Sequence, residues 1–161
     1  LQRNLIHIPL LMDLKLQQTS LGKNGIGWLS SAFKHTPLLQ SLDLEGNQLG
    51  AGGARKLATN FESVPLLQHF NCGGNRLGAE GTRHLNNALA HTPLLRELRL
   101  ANNSMGTRGI HHLIIPNGLR RLRELECLDF TKNSLLNRVC CDLIRYAAEH
   151  FPRLRELVLR G

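Results

Sequence analysis

The chain has 161 residues and a formal net charge of +8, with 20 lysines and arginines against 12 aspartates and glutamates. It contains no apolar run near the roughly 20 residues that cross a bilayer, which excludes a membrane-spanning helix from this stretch. Its four cysteines, Cys72, Cys127, Cys140 and Cys141, form neither a Cys-x-x-Cys pair nor a disulfide-like framework, which favours reduced thiols in a cytosolic or nuclear setting over a metal site built from His111, His112 and the adjacent cysteine pair.

The elements recur. Residues 1–10 are expected to close a repeat that begins before them, because Leu1, Leu5 and Pro9 fall at the spacing of the later Leu29, Phe33 and Pro37. The first complete unit starts at Leu11. Leu14 and Leu16, two residues apart, predict a short strand with both side chains on one face. Thr19 follows, and Gly22 and Gly25 mark a turn into a helix whose Leu29 and Phe33, four apart, share a face until Pro37 ends it.

The units from Leu39 and Leu67 repeat this order, with Leu42 and Leu44, then Phe70 and Cys72, as the strand pairs. Their helix pairs are Leu57 with Phe61 and Leu85 with Leu89, closed by Pro65 and Pro93. Where the first unit has Thr19 these carry Asn47 and Asn75, and the next two carry Asn103 and Asn133. A polar side chain recurring between buried leucines is expected to cap backbone groups where the strand turns away, since an unpaired buried amide or carbonyl costs about 1–3 kcal/mol. Thr19 has a hydroxyl but no amide, which predicts the weakest turn in the first unit.

The unit from Leu95 keeps Leu98, Leu100, Asn103, Gly106 and Gly109. Pro116, Asn117 and Gly118 are then expected to interrupt its helix, which restarts as LRRLREL with two extra residues and projects a basic turn of Arg120, Arg121 and Arg123. In the unit from Leu125, Leu136 replaces the glycine after the turn leucine, so this loop is expected to take another backbone path. A sixth unit opens at Leu154, and residues 154–161 are read as its start.

The unit read from Leu39, LQSLDLEGNQLGAGGARKLATNFESVPL, resembles the ribonuclease-inhibitor type of leucine-rich repeat. Successive starts lie 28 residues apart as far as Leu95, then 30 and 29, against about 20–29 for such repeats. The resemblance implies an α/β horseshoe solenoid with parallel strands on the concave side and helices on the convex side. Residues 1–161 then form one domain of about five repeats, open at both ends. It further implies a role in holding other macromolecules. Members of this type include inhibitors, innate immune sensors, regulators of small GTPases, actin-filament cappers and ciliary assembly proteins, so a cytoskeletal or ciliary setting falls within its range.

The repeat frame also sorts the charge. Outward strand positions carry Asp13, Asp43, Glu45, Glu97, Asp129 and Glu156 against Lys15, Arg99 and Arg160, six acids to three bases; the remainder carries six acids and seventeen bases. The strand face is therefore expected to be mildly acidic and the outer surface basic. Asp43, Glu45, His69, Asn71, Glu97, Arg99 and Asp129 form the expected central patch for a protein partner. Arg120, Arg121 and Arg123 are the candidates for an acidic protein or a nucleic acid on the outer side, as in a ribonucleoprotein or membrane-surface subunit. The phenylalanines mostly fill core positions and leave no base-stacking platform.

Catalytic signals are missing from the sequence: there is no phosphate-cradling loop with its lysine and no serine nucleophile elbow. The reading is a non-enzymatic scaffold within a larger intracellular assembly, with no cofactor and no metal. The alternative is a regulator of a small GTPase, with Arg99 as the strand-face arginine able to reach a developing phosphate charge.

Overall fold

A computed structural model describes residues 8–114 and 119–161. Six strands lie in one sheet: β1 (Asp13–Lys15), β2 (Ser41–Asp43), β3 (His69–Asn71), β4 (Glu97–Arg99), β5 (Cys127–Asp129) and β6 (Glu156–Val158). All neighbours pair in parallel and in sequence order, and the sheet does not close. Among the described residues five helices alternate with them: α1 (Gly22–Ser31), α2 (Gly50–Ala58), α3 (Gly78–Leu89), α4 (Gly106–Ile114) and α5 (Asn137–His150). The expected matches at Leu1 and Leu5 and the interruption at Pro116, Asn117 and Gly118 lie outside the described residues.

The register follows the repeat. Leu14, Leu42, Phe70, Leu98, Leu128 and Leu157 stand side by side across the six strands. These side chains point between sheet and helices, where Leu44, Leu57, Leu85, Leu100, Ile110 and Leu143 join one continuous core. The hydrogen-bond ladder outlasts the three-residue strands: Leu16 N–H donates to the Asp43 carbonyl at 2.9 Å and Gln18 N–H to that of Glu45 at 2.8 Å. Strand spacing is thereby fixed into the turns.

The asparagines form a second ladder inside the first. Asn75 Nδ2 donates to the carbonyls of Leu44, Cys72 and Gly73 at 2.9, 3.1 and 3.0 Å. Its Oδ1 accepts the Asn47 N–H at 3.0 Å and the Leu49 N–H at 3.4 Å. Asn47, Asn103 and Asn133 repeat the arrangement, so each amide caps its own turn and the turn before it. All four are fully buried. Thr19 Oγ1 lies 2.8 Å from the Leu16 carbonyl and 2.9 Å from Asn47 Oδ1, two acceptors for its single hydrogen, in an exposed turn. It meets one carbonyl where each asparagine meets three, in line with the expected weakness there.

The two glycines of each turn serve different ends. Gly50 starts α2 at φ +59°, a left-handed backbone that any side chain would strain. Gly53 has ordinary backbone, but a Cβ there would lie 2.8 Å from Leu49 Cβ and 3.2 Å from Ile26 Cγ2, so its smallness lets α1 and α2 approach. Leu136 stands at the Gly50 position of the fifth unit with φ −77° and ψ 149°, and α5 begins one residue later, the different path expected of that loop.

Two expectations need correction. Phe33 and Phe61 do not share an α-helical face with Leu29 and Leu57: α1 ends at Ser31 and α2 at Ala58, and each phenylalanine opens a 3₁₀ turn, Phe33–His35 and Phe61–Ser63. The tighter turn swings the ring under the sheet, where Phe61 packs edge-on to Phe33 and Phe70 at centroid distances of 6.4 and 5.2 Å. Leu85 and Leu89 do share α3. The LRRLREL segment does not resume a helix either. Leu119–Arg121 is a 3₁₀ turn, and buried Leu119 stands six residues before Leu125 as Phe61 stands six before Leu67. The basic residues thus fall back into the common frame on the approach to β5.

Candidate functional site

The outward side chains of β1 to β6 form the candidate site, because strand alternation turns them away from the core. The register sets His69 beside Glu97, Asn71 between Asp43 and Arg99, and Asp129 beside Arg99. Six of the seven expected residues fall into two bonded groups. In the first, Asn71 Nδ2 donates to Asp43 Oδ2 at 3.2 Å and to Glu45 Oε2 at 2.9 Å. In the second, His69 Nδ1 lies 3.1 Å from Glu97 Oε2 while Arg99 pairs with Glu97 Oε1. Asp43, Asn71, His69, Glu97 and Arg99, together with Lys15 and Ser41, line a shallow depression over Leu42 and Phe70.

Asp129 stands apart from both groups. Its Oδ1 accepts the Thr131 N–H at 2.8 Å, as Asp43 Oδ1 accepts the Glu45 N–H at 3.0 Å and Asn71 Oδ1 the Gly73 N–H at 3.1 Å. The last residue of these three strands therefore holds the following turn, which is a structural duty besides any contact with a partner. Arg99 has neither that bond nor a free guanidinium, since Glu97 holds it.

The surface also takes in residues outside the expected patch. Gln17 Nε2 donates to Asp43 Oδ2 at 2.8 Å, extending the first group to the turn just after β1. Lys15 lies 3.1 Å from Asp13, and its hydrogen bond, followed by that of Ser41, holds the Asp13 carboxyl below the usual range. Below the second group, Arg96 Nη1 meets Glu126 Oε1 at 3.2 Å, one residue ahead of the strands. Period-two counting sends Arg96 inward with Leu98. The alternation holds only from Glu97 onward, so the available signal was the charge itself.

Cys127 shares this face. Its Sγ lies 3.4 Å from Glu156 Oε2, and burial, then the Glu156 contact, push the thiol up to about 11. Cys72 is fully buried in the core, which pushes it up to about 12. Among the described residues no three histidine, cysteine or carboxylate side chains gather in a way that could hold a metal ion. Arg120, Arg121 and Arg123 are exposed on the approach to β5, off the strand face, with Arg123 Nη1 donating to the His150 carbonyl at 3.3 Å.

The arrangement offers fixed, partly exposed donors and acceptors without an activated nucleophile, which suits recognition. Among the described residues no helix is long and apolar enough to cross a membrane. Residues 35–58, which run through β2, Asn47 and α2, match a family model described as Leucine Rich repeat. No curated protein matches the chain. With six parallel strands alternating with five helices in an open sheet among the described residues, this match makes the fold an α/β leucine-rich repeat solenoid.

Proposed function

We propose that this leucine-rich repeat chain is a non-enzymatic scaffold segment of a larger intracellular assembly, cytoplasmic in location, and that it seats a protein partner on its strand face. The spacing near 28 residues and the helix in each complete unit support the ribonuclease-inhibitor type of repeat. The observation that carries the reading is the bonded polar surface of Asp43, Glu45, His69, Asn71, Glu97 and Arg99. Its side chains are already held by one another across β2, β3 and β4, so a partner meets groups whose ordering cost is largely met beforehand. Six strands at about 4.8 Å spacing span roughly 24 Å, which supplies much of a standard footprint of about 800 Å² per partner.

The test compares the chain with an Asp43→Lys, Glu45→Lys, Glu97→Lys variant in affinity capture followed by quantitative mass spectrometry. The expected result is loss of a discrete partner set from the variant at unchanged circular dichroism. Equal recovery of every partner overturns the assignment of this face. A GTPase-regulatory role would rest on Arg99, whose pairing with Glu97 leaves the scaffold reading the better supported.

A further inference from the structure

One apolar feature belongs neither to the core nor to the strand face. Each of the first four approaches to a strand reads Pro-Leu-Leu, at Pro9, Pro37, Pro65 and Pro93. The second leucine is fully buried at Leu39, Leu67 and Leu95 and packs partly buried against the core at Leu11; the first stays outside. Leu10 is 73% exposed, Leu38 37% and Leu94 42%, with Leu66 partly exposed between them. These four leucines stand on successive rungs, because the residues two places on are tied across the sheet: Gln40 N–H donates to the Met12 carbonyl at 2.8 Å, Gln68 to Gln40 at 2.7 Å and Arg96 to Gln68 at 2.8 Å. The result is a row of leucines along one edge of the solenoid, rung by rung.

The row has a defined end. In the fifth unit the Pro-Leu pair becomes Arg123-Glu124, and Glu124 pairs with Arg153, which holds the leucine position of the sixth. Arg120, Arg121 and Arg123 are exposed on that same rung.

We infer that this edge docks an amphipathic helix of a partner protein, laid along the stack, with its apolar stripe on Leu10, Leu38, Leu66 and Leu94 and acidic residues at the end that meets Arg120, Arg121 and Arg123. The spacing selects a helix. Rungs recur at about 4.8 Å and a helix turns every 5.4 Å or so, so an i, i+4, i+7, i+11 stripe stays nearly in step over four rungs. Over those four rungs the helical stripe drifts by about 2 Å, whereas an extended segment, presenting one face every 6.6–6.8 Å or so, drifts by about 5–6 Å, more than a whole rung. The charge selects the acid. The three arginines favour carboxylates, while Glu62, exposed on the Leu66 rung, disfavours a uniformly anionic surface such as a bilayer or nucleic acid, Glu124 being already paired with Arg153. The surface is distinct from the strand face, so the two can fail separately.

The test uses the full chain and a displayed library of 18-residue peptides, each position drawn from apolar, acidic, basic and neutral polar types. Enriched peptides are expected to carry the i, i+4, i+7, i+11 apolar stripe with acids clustered at one end. They are expected to bind a Leu38→Asn, Leu94→Asn variant at least tenfold more weakly, and an Arg120→Glu, Arg121→Glu variant likewise, while the Asp43→Lys, Glu45→Lys, Glu97→Lys variant binds them as the parent does. The leucines are exposed, so the first variant keeps its circular dichroism. Enrichment without the stripe, enrichment of basic ends, or undiminished binding to the leucine variant overturns the inference. So does sedimentation in which the parent self-associates and the leucine variant does not, which assigns the edge to a second copy. Leucine-dependent binding to phosphatidylserine vesicles overturns it in favour of a membrane.

Discussion

Replacing Asn75 by Ala removes the amide from the middle of the asparagine ladder. Its three carbonyl acceptors keep other donors: Leu44 keeps Asn47 Nδ2 at 2.9 Å, Cys72 keeps Asn103 Nδ2 at 2.9 Å and Gly73 keeps the Gly46 N–H at 2.9 Å. The Asn47 and Leu49 N–H groups, bonded to Asn75 Oδ1 at 3.0 and 3.4 Å, are left without an acceptor in a buried turn. At about 1–3 kcal/mol for each stranded donor, and less for the longer bond, the loss is about 3–4 kcal/mol. Asn47→Ala strands the Thr19 and Leu21 N–H groups instead, but Thr19 is exposed and water replaces the amide, so this loss is smaller by about 1–2 kcal/mol. Urea unfolding followed by circular dichroism measures both, and fluorescence of Trp28, the sole tryptophan, checks that the first repeats melt with the rest. Equal losses for the two variants, or a loss below about 1 kcal/mol for Asn75→Ala, would refute the assignment of the amide's main contribution to the preceding turn.

Phe61→Ala empties a fully buried site between two edge-on rings and is expected to cost about 3–5 kcal/mol in the same unfolding assay, whereas Phe61→Leu, the residue type found at 89 and 119, costs well under half of that. Iodoacetamide at pH 8 is expected to label exposed Cys141 first and Cys72 only on unfolding; Cys127, raised from 9.0 to about 11, reacts about tenfold more slowly than an unperturbed thiol once its stronger nucleophilicity offsets part of its smaller thiolate fraction. The Asp13 carboxyl is depressed in the folded chain, so its contribution is present above its unfolded value of 3.8 and lost as pH falls through the folded one. Both Asp13 and its partner Lys15 are at least half exposed, so Asp13→Asn should flatten acid unfolding by no more than a few tenths of a kcal/mol.

The order of strands and helices was legible because one pattern is written five times, and chance apolar spacing does not recur in phase at Leu14, Leu42, Phe70, Leu98 and Leu128. The asparagines were legible as caps for the same reason. Their service to two turns at once was not, because the second turn lies 28 residues away and only the folded stack brings Asn75 Oδ1 to the Asn47 N–H. A spacing of four could not separate an α-helix running to Phe61 from one that stops at Ala58 and tightens, since both bury the ring. The outward placement of the strand-face residues follows from strand alternation alone. The division of the patch was hidden, as was the duty of Asp129 toward Thr131, because side-chain pairing depends on which neighbour each group turns to. The row at Leu10, Leu38, Leu66 and Leu94 was masked by its own composition: a leucine beside a core leucine reads as core until its exposure is seen.

The scaffold reading is tested most directly by site-specific photocrosslinking in cells. A photoreactive amino acid is placed at Glu45 or His69 on the strand face, and in parallel at Arg55 on the outer side of α2, all exposed in the fold. The predicted result is one and the same protein adduct from Glu45 and His69 and its absence from Arg55. Adducts from Arg55 alone, with none from either strand position, would contradict the claim that the strand face holds the partner.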